Sequence, residues 1–250
     1  VKSQFSSYLY QKIMKMMKAI LASTSTLHGE GYLEYLIPHL TDLYGNDKEV
    51  LFIPYARPGG ISHDEYTLKA KEAFKKANLS LRGIHEFEDA VKAIQNAEGI
   101  FTGGGNTFLL VSELYRNGLI DILKNVILNG TPYLGTSAGT NIGGLTMGTT
   151  NDMPIVLPKS FKTLGLIPFN INPHYLDPDV NSTHKGETRE TRIKEFHHFN
   201  SQPVVGLREG SWLELNKNEV ILRGTPSARI FKCNKDAYEA ATGTNLTNLN

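Results

Sequence analysis

The sequence predicts an α/β fold: a mostly parallel sheet with helices on both faces, followed by a C-terminal antiparallel extension. Three observations carry this. From Lys18 to about Asn200, short β-branched or apolar runs alternate with longer segments of helical period, the pattern of parallel strands joined by crossover helices. Two of the strand-like runs end in glycine-rich turns, Gly103-Gly104-Gly105 and Gly135-Thr136-Ser137-Ala138-Gly139. In open sheets of this kind, the carboxyl ends of the strands carry the site. After Asn200 the helical period gives way to closely spaced short runs, as antiparallel strands require.

The elements follow in order. Ala19–Ala22 is a first apolar run, and Gly31–Leu43 places Leu33, Leu36, Ile37 and Leu40 at helical spacing. Val50–Ile53 is a buried-strand pattern closed by Pro54. Ser62 is placed to cap a helix, with Glu65 three residues on completing a capping box, and that helix ends near Asn78. Leu81–Phe87 and Gly99–Thr102 read as strands separated by Asp89–Asn96, while Asn106–Asn117 and Ile120–Leu128 carry helical patterns. Pro132–Leu134 and Asn170–Pro173 are strand-like, and His197-His198 lie on a helical stretch. The closing strands are Val204–Leu207, Trp212–Leu215, Val220–Leu222 and Arg229–Lys232, with a turn at Asn216–Asn218. No Ser/Gly-rich linker separates them from the rest, so residues 18–250 read as one α/β domain.

Composition excludes several classes. The 250 residues are 40% hydrophobic with 23 glycines besides, a globular rather than a disordered balance. A net charge of +1 gives no global pull toward nucleic acid or an anionic membrane. One cysteine, Cys233, forms no intramolecular disulfide and no structural zinc site. No run reaches the roughly 18 apolar residues needed to cross a bilayer. Residues 1–29 hold no Asp or Glu, yet Lys15 and Lys18 interrupt the only secretory-type apolar stretch, Ile13–Ala22. A cytoplasmic location is the expectation. Residues 1–17 read as an extension, and the Met16-Met17 pair as the start of translation, which predicts a product lacking residues 1–15 by mass spectrometry.

The sharpest local signal is Gly135-Thr136-Ser137-Ala138-Gly139, a Gly-x-Ser-x-Gly sequence between a strand-like run and a small-residue helix start. Small neighbours permit a tight turn that lifts the serine oxygen above the sheet. The Ala138 amide at the helix start then faces an oxyanion formed by attack of Ser137. A glycine-rich turn with an ordinary N-cap serine fits the same five residues. The loop Gly103-Gly104-Gly105-Asn106 lacks the sixth-position glycine of a dinucleotide fingerprint, where Phe108 stands, and the Gly-Lys-Ser/Thr of a P-loop. Its consecutive glycines suit either a plain turn or a second oxyanion donor.

A serine nucleophile needs a base and a group that orients it. Of eight histidines, His174 follows a strand-like run at the position where a side chain overhangs the sheet edge. Asp152, Asp177, Asp179, Glu187 and Glu209 are candidate orienting acids, and spacing does not choose among them, since triads occur in several chain orders.

At this point the chain resembles the peptidase E family of α-aspartyl dipeptidases, serine peptidase family S51, from about Lys18 to Lys232. Four stretches carry the resemblance: Gly103-Gly104-Gly105-Asn106-Thr107-Phe108; the elbow around Ser137; Thr149-Thr150-Asn151-Asp152-Met153-Pro154-Ile155-Val156; and Asn172-Pro173-His174 with His184-Lys185-Gly186-Glu187-Thr188-Arg189-Glu190. The resemblance implies a sheet like that of class I glutamine amidotransferases and a Ser-His-Glu triad. Residue by residue, it puts the nucleophile at Ser137, the base at His174 and the acid at Glu209. Asp152 is the rival third member, in a turn where a carboxylate can instead bond backbone amides. The resemblance also implies oxyanion donors at Ala138 and Gly104 and a substrate-reading arginine at Arg189. The partners it implies are short aspartyl peptides, with no metal and no organic cofactor. Two alternatives stay open: a cyanophycinase-like β-aspartyl peptidase, and a noncatalytic protein that binds aspartyl ligands. The elbow serine disfavours an amidotransferase, which uses cysteine there. An α/β-hydrolase esterase would place its acid before the final histidine.

Overall fold

The structure, a computed structural model, describes residues 17–178, 183 and 186–249. The N-terminal extension through Met16, Asp179 and the His184-Lys185 pair lie outside the described residues. Eleven strands are described: β1 (Lys18–Ala22), β2 (Glu49–Ile53), β3 (Ser80–Gly83), β4 (Ile100–Thr102), β5 (Tyr133–Thr136), β6 (Asn170–Pro173), β7 (Val204–Leu207), β8 (Ser211–Asn216), β9 (Glu219–Gly224), β10 (Ala228–Phe231) and β11 (Tyr238–Ala240). The helices are α1 (Ile37–Tyr44), α2 (His63–Lys75), α3 (Ala90–Gln95), α4 (Thr107–Arg116), α5 (Ile120–Leu128), α6 (Ala138–Asn141) and α7 (Arg189–Phe196).

Seven strands form one sheet in the order β3-β2-β4-β5-β1-β8-β9. The first five run parallel, and the β8–β9 hairpin joins antiparallel to β1. Alternation along each strand feeds two apolar layers, as a period of two requires. Val50 and Phe52 face the layer that α1 and α2 fill with Leu40, Leu43, Tyr66 and Phe74. Leu51 and Ile53 face the opposite layer, filled from α4 and α5 by Leu110, Leu114, Leu123 and Ile127. Each such fully buried side chain contributes about 1.5–3 kcal/mol. The helices are therefore held by the sheet's two faces more than by their own propensity.

The predicted capping box is present: Ser62 accepts from the Glu65 N–H at 3.1 Å, and Glu65 accepts from the Ser62 N–H at 2.7 Å. Leu81–Phe87 is only half strand. The Glu86 carboxylate accepts from the Gly83 N–H at 2.8 Å, and Ile84–Glu86 winds into a 3-10 turn. The C-terminal strands also divide in a way the sequence does not show. Only β8 and β9 extend the main sheet. The strands β7 and β10 join β6 and β11 in a second sheet of order β11-β10-β7-β6, in which β6 and β7 are parallel. The three-residue link Arg208–Gly210, between Leu207 and Ser211, thus passes from one sheet to the other.

Candidate active site

Ser137 follows β5 at the carboxyl edge of the parallel strands and sits at φ 53°, ψ −108°. A non-glycine residue occupies that region only under tertiary constraint. The constraint is close packing. A Cβ on Gly139 would lie 2.2 Å from the Thr102 carbonyl oxygen, and one on Gly104 would lie 2.9 Å from the Ser137 Cβ. Both positions are closed to any side chain. The turn is also tied to β1, since the Ser137 N–H donates to the Ala22 carbonyl at 3.1 Å and Thr140 Oγ1 donates to the same oxygen at 2.6 Å.

The Ser137 Oγ lies 2.9 Å from His174 Nε2, and His174 Nδ1 lies 2.6 Å from Glu209 Oε1. With the Nδ1 proton on the carboxylate side, Nε2 is the acceptor for the serine proton. Three separate segments meet here: the elbow after β5, the residue after β6 and the link between β7 and β8. Their register is fixed by buried and partly buried bonds. Asn141 Nδ2 donates to the Ile171 carbonyl at 2.8 Å, joining the elbow helix to β6. Ser23 Oγ accepts from the His174 N–H at 2.9 Å and donates to the Leu207 carbonyl at 2.6 Å. Asn151 Nδ2 donates to the Pro173 carbonyl at 2.7 Å. The sequence reading missed Ser23 and Asn141. The polar run Ser23-Thr24-Ser25-Thr26 at the end of β1 is the signal that marks the first.

The structure takes Asp152 elsewhere. Its Oδ2 accepts from the Thr107 N–H at 2.7 Å and from Thr150 Oγ1 at 2.9 Å, so it caps α4, while Glu209 holds the contact with His174. Asp177 is also occupied, by Arg208. Two oxyanion candidates flank the serine. The Ala138 amide heads a helix, where the first N–H groups have no intrahelical partner. Gly104 lies in a loop whose flanking amides, Gly103 and Asn106, donate to Ile53 and Ala56 carbonyls, and whose own carbonyl accepts from Tyr66 Oη at 3.2 Å.

Arg189 is the first residue of α7 and is half-buried. Burial lowers its pKa from the ordinary arginine value; Arg192 pushes the same way and Asp152 opposes both. The neighbouring acids are committed elsewhere, Glu187 to Arg192 and Glu190 to Lys194 and Arg229. Among the described residues, no group of three or more His, Cys, Asp or Glu side chains is placed to hold a metal ion. Cys233 sits 3.5 Å from the His197 carbonyl, beyond β10.

The family model described as peptidase family S51 matches residues 19–223. The chain belongs to peptidase family S51. It is 47% identical over 233 residues to a protein of Streptomyces coelicolor named "Peptidase E", covering 93% of this chain and 95% of that one. It is 45% identical to a Drosophila melanogaster protein named "Probable alpha-aspartyl dipeptidase", covering 92% and 96%. Among solved structures, a peptidase from an acI-B1 actinobacterium matches with a TM-score of 0.66 at 16% identity, covering 92% of this chain and 97% of that one, a likeness of fold. The S51 match spans β1 to β9, so both sheets contribute strands to it.

Proposed function

We propose that this S51 peptidase is a serine dipeptidase that hydrolyses Asp-Xaa, with residues 18–250 acting as one peptidase unit. The observation that carries the mechanism is the continuous contact from Ser137 Oγ through the His174 ring to Glu209. The names of the relatives support the substrate class. Ser137 attacks the scissile carbonyl carbon while His174 Nε2 takes its proton. Negative charge moves onto the carbonyl oxygen, toward the Ala138 and Gly104 amides. His174 then gives the proton to the departing amine, and water repeats the sequence on the aspartyl ester to release aspartate. Glu209 keeps the ring in the productive tautomer and stabilises its protonated form. Arg189 reads the aspartyl side chain, a fork-on-carboxylate contact worth roughly 1.5–3 kcal/mol.

Hydrolysis of Asp-Leu, Leu-Leu, Glu-Leu and β-Asp-Leu by the wild type, Ser137→Ala and Arg189→Met tests this reading. Cleavage of Asp-Leu alone is expected, abolished in Ser137→Ala and reduced about 10- to 150-fold in kcat/KM by Arg189→Met. Cleavage of β-Asp-Leu instead would move the chain to the cyanophycinase side. Tight binding of aspartyl peptides without turnover would make it a binding protein.

A further inference from the structure

Glu209 sits 48% exposed in its side chain, and among the described residues its carboxylate bonds His174 alone. Nothing on the side chain itself fixes it. Its place is set by the backbone turn Arg208–Ser211, closed by the Ser211 N–H to the Arg208 carbonyl at 3.1 Å, with Gly210 at φ 87°. The residue that anchors this turn is Arg208, whose side chain is 18% exposed. Its Nε and Nη2 grip Asp177 side-on at 2.8 and 2.7 Å. Its Nη1 and Nη2 bond Glu239 of β11 at 2.9 and 3.0 Å, and Nη1 reaches the Ser227 carbonyl at 2.9 Å. The guanidinium also lies over the Tyr175 ring, 5.5 Å from its centroid. Asp177 and Tyr175 belong to the segment that begins with His174.

We propose that Arg208 is a positioning residue that locks the Glu209 turn onto the His174 segment, so that the 2.6 Å contact between ring and carboxylate forms without an ordering cost at each turnover. The inference rests on the triad reading above. Arg208 touches no reacting atom; it acts through Glu209. The physical basis is that a planar fork bonded to two carboxylates and a carbonyl at once has one geometry, whereas a single ion pair at an exposed site is loose. Lysine, with a point charge, cannot hold both acids in register.

The test is a cycle of Arg208→Met, Glu209→Gln and the double variant, with kcat and KM for Asp-Leu and melting temperature measured for each. A misplacement of the order of 1 Å costs about 100-fold. Arg208→Met is therefore expected to lower kcat about 10- to 100-fold with KM within about twofold. The same change should cost little further in the Glu209→Gln background, and Arg208→Lys should fall between. A merely structural arginine would instead lower activity equally in both backgrounds, which overturns the proposal, as does wild-type kcat in a folded Arg208→Met. If that variant fails to fold, Asp177→Asn and Glu239→Gln each break one arm and are read the same way. The downfield proton resonance of the His174–Glu209 hydrogen bond, expected in the wild type and lost in Glu209→Gln, gives a readout independent of turnover. Its unaltered survival in Arg208→Met overturns the clamp while leaving the triad reading in place. Wild-type kcat in Glu209→Gln removes the triad reading, and the clamp's purpose with it.

Discussion

The serine and the histidine–glutamate pair meet within hydrogen-bond distance, yet they are held by opposite means. The elbow is local and buried: Ser137 is placed by its own strained backbone and by two glycines against which no side chain fits. His174 and Glu209 are 35 residues apart and half-exposed, and the side chains that bond their segments come from Ser23 just beyond β1, from α6 and from β11. A serine set by close packing tolerates almost no change nearby, whereas a pair set by polar bonds degrades by degrees as each bond is removed.

Gly139→Ala should produce the largest effect. Its Cβ would sit 2.2 Å from a backbone oxygen that cannot move aside, so destabilisation of about 3 kcal/mol or more is expected, with a melting point roughly 6–12 °C lower and no measurable turnover. A Gly139→Ala enzyme that melts like the wild type would mean that packing does not set the elbow. Glu209→Gln comes next, with kcat down about 1,000-fold and little change in melting temperature, because a carboxamide neither fixes the tautomer nor stabilises the imidazolium. Asp152→Asn should do the reverse: a loss of about 1 kcal/mol in stability from a weakened cap on α4, and kcat within about twofold. If Asp152→Asn abolished turnover and Glu209→Gln did not, the two acids would exchange roles.

The smallest effect concerns pH. Arg208, first by its hydrogen bond, pulls the Glu239 carboxyl down to about 2, so the folded pKa lies below the ordinary glutamate value. Its contribution is therefore complete above that ordinary value and is lost as pH falls through about 2. The melting-temperature gap between the wild type and Glu239→Gln should be constant from neutral pH to about 5 and close progressively in stronger acid. A gap that closes near neutral pH would place the titration elsewhere.

Much of the parallel half was legible in the sequence because its signals are local. Val50–Ile53 is an unbroken apolar run of strand length, Ser62 and Glu65 form their cap within one turn, and the Gly-x-Ser-x-Gly elbow carries its own steric demands. The second sheet was not legible, since the pairing of β6 with β7 joins segments separated by α7 and no periodicity records a partner. The choice between Asp152 and Glu209 was closed to spacing for the same reason: the resemblance and the turn around Asp152 ranked them, and the contacts that separate them join remote residues. Ser23 is one serine among many until the backbone brings it beside His174, and Arg208, next to Glu209 in sequence, is one arginine among many until the fold sets Asp177 and Glu239 around it.

The link Arg208–Gly210, crossing from one sheet to the other, also bears on the life of the nascent chain. The serine is synthesised first, the histidine next and the glutamate third, while the last arm of the arginine's grip arrives only with Glu239. In a polypeptide still emerging from the ribosome, Ser137 therefore appears before the two side chains it meets in the fold, and the Arg208 grip closes only once β11 is in place. The contacts around Ser137 thus close in the order in which the residues leave the ribosome, with the C-terminal strand last.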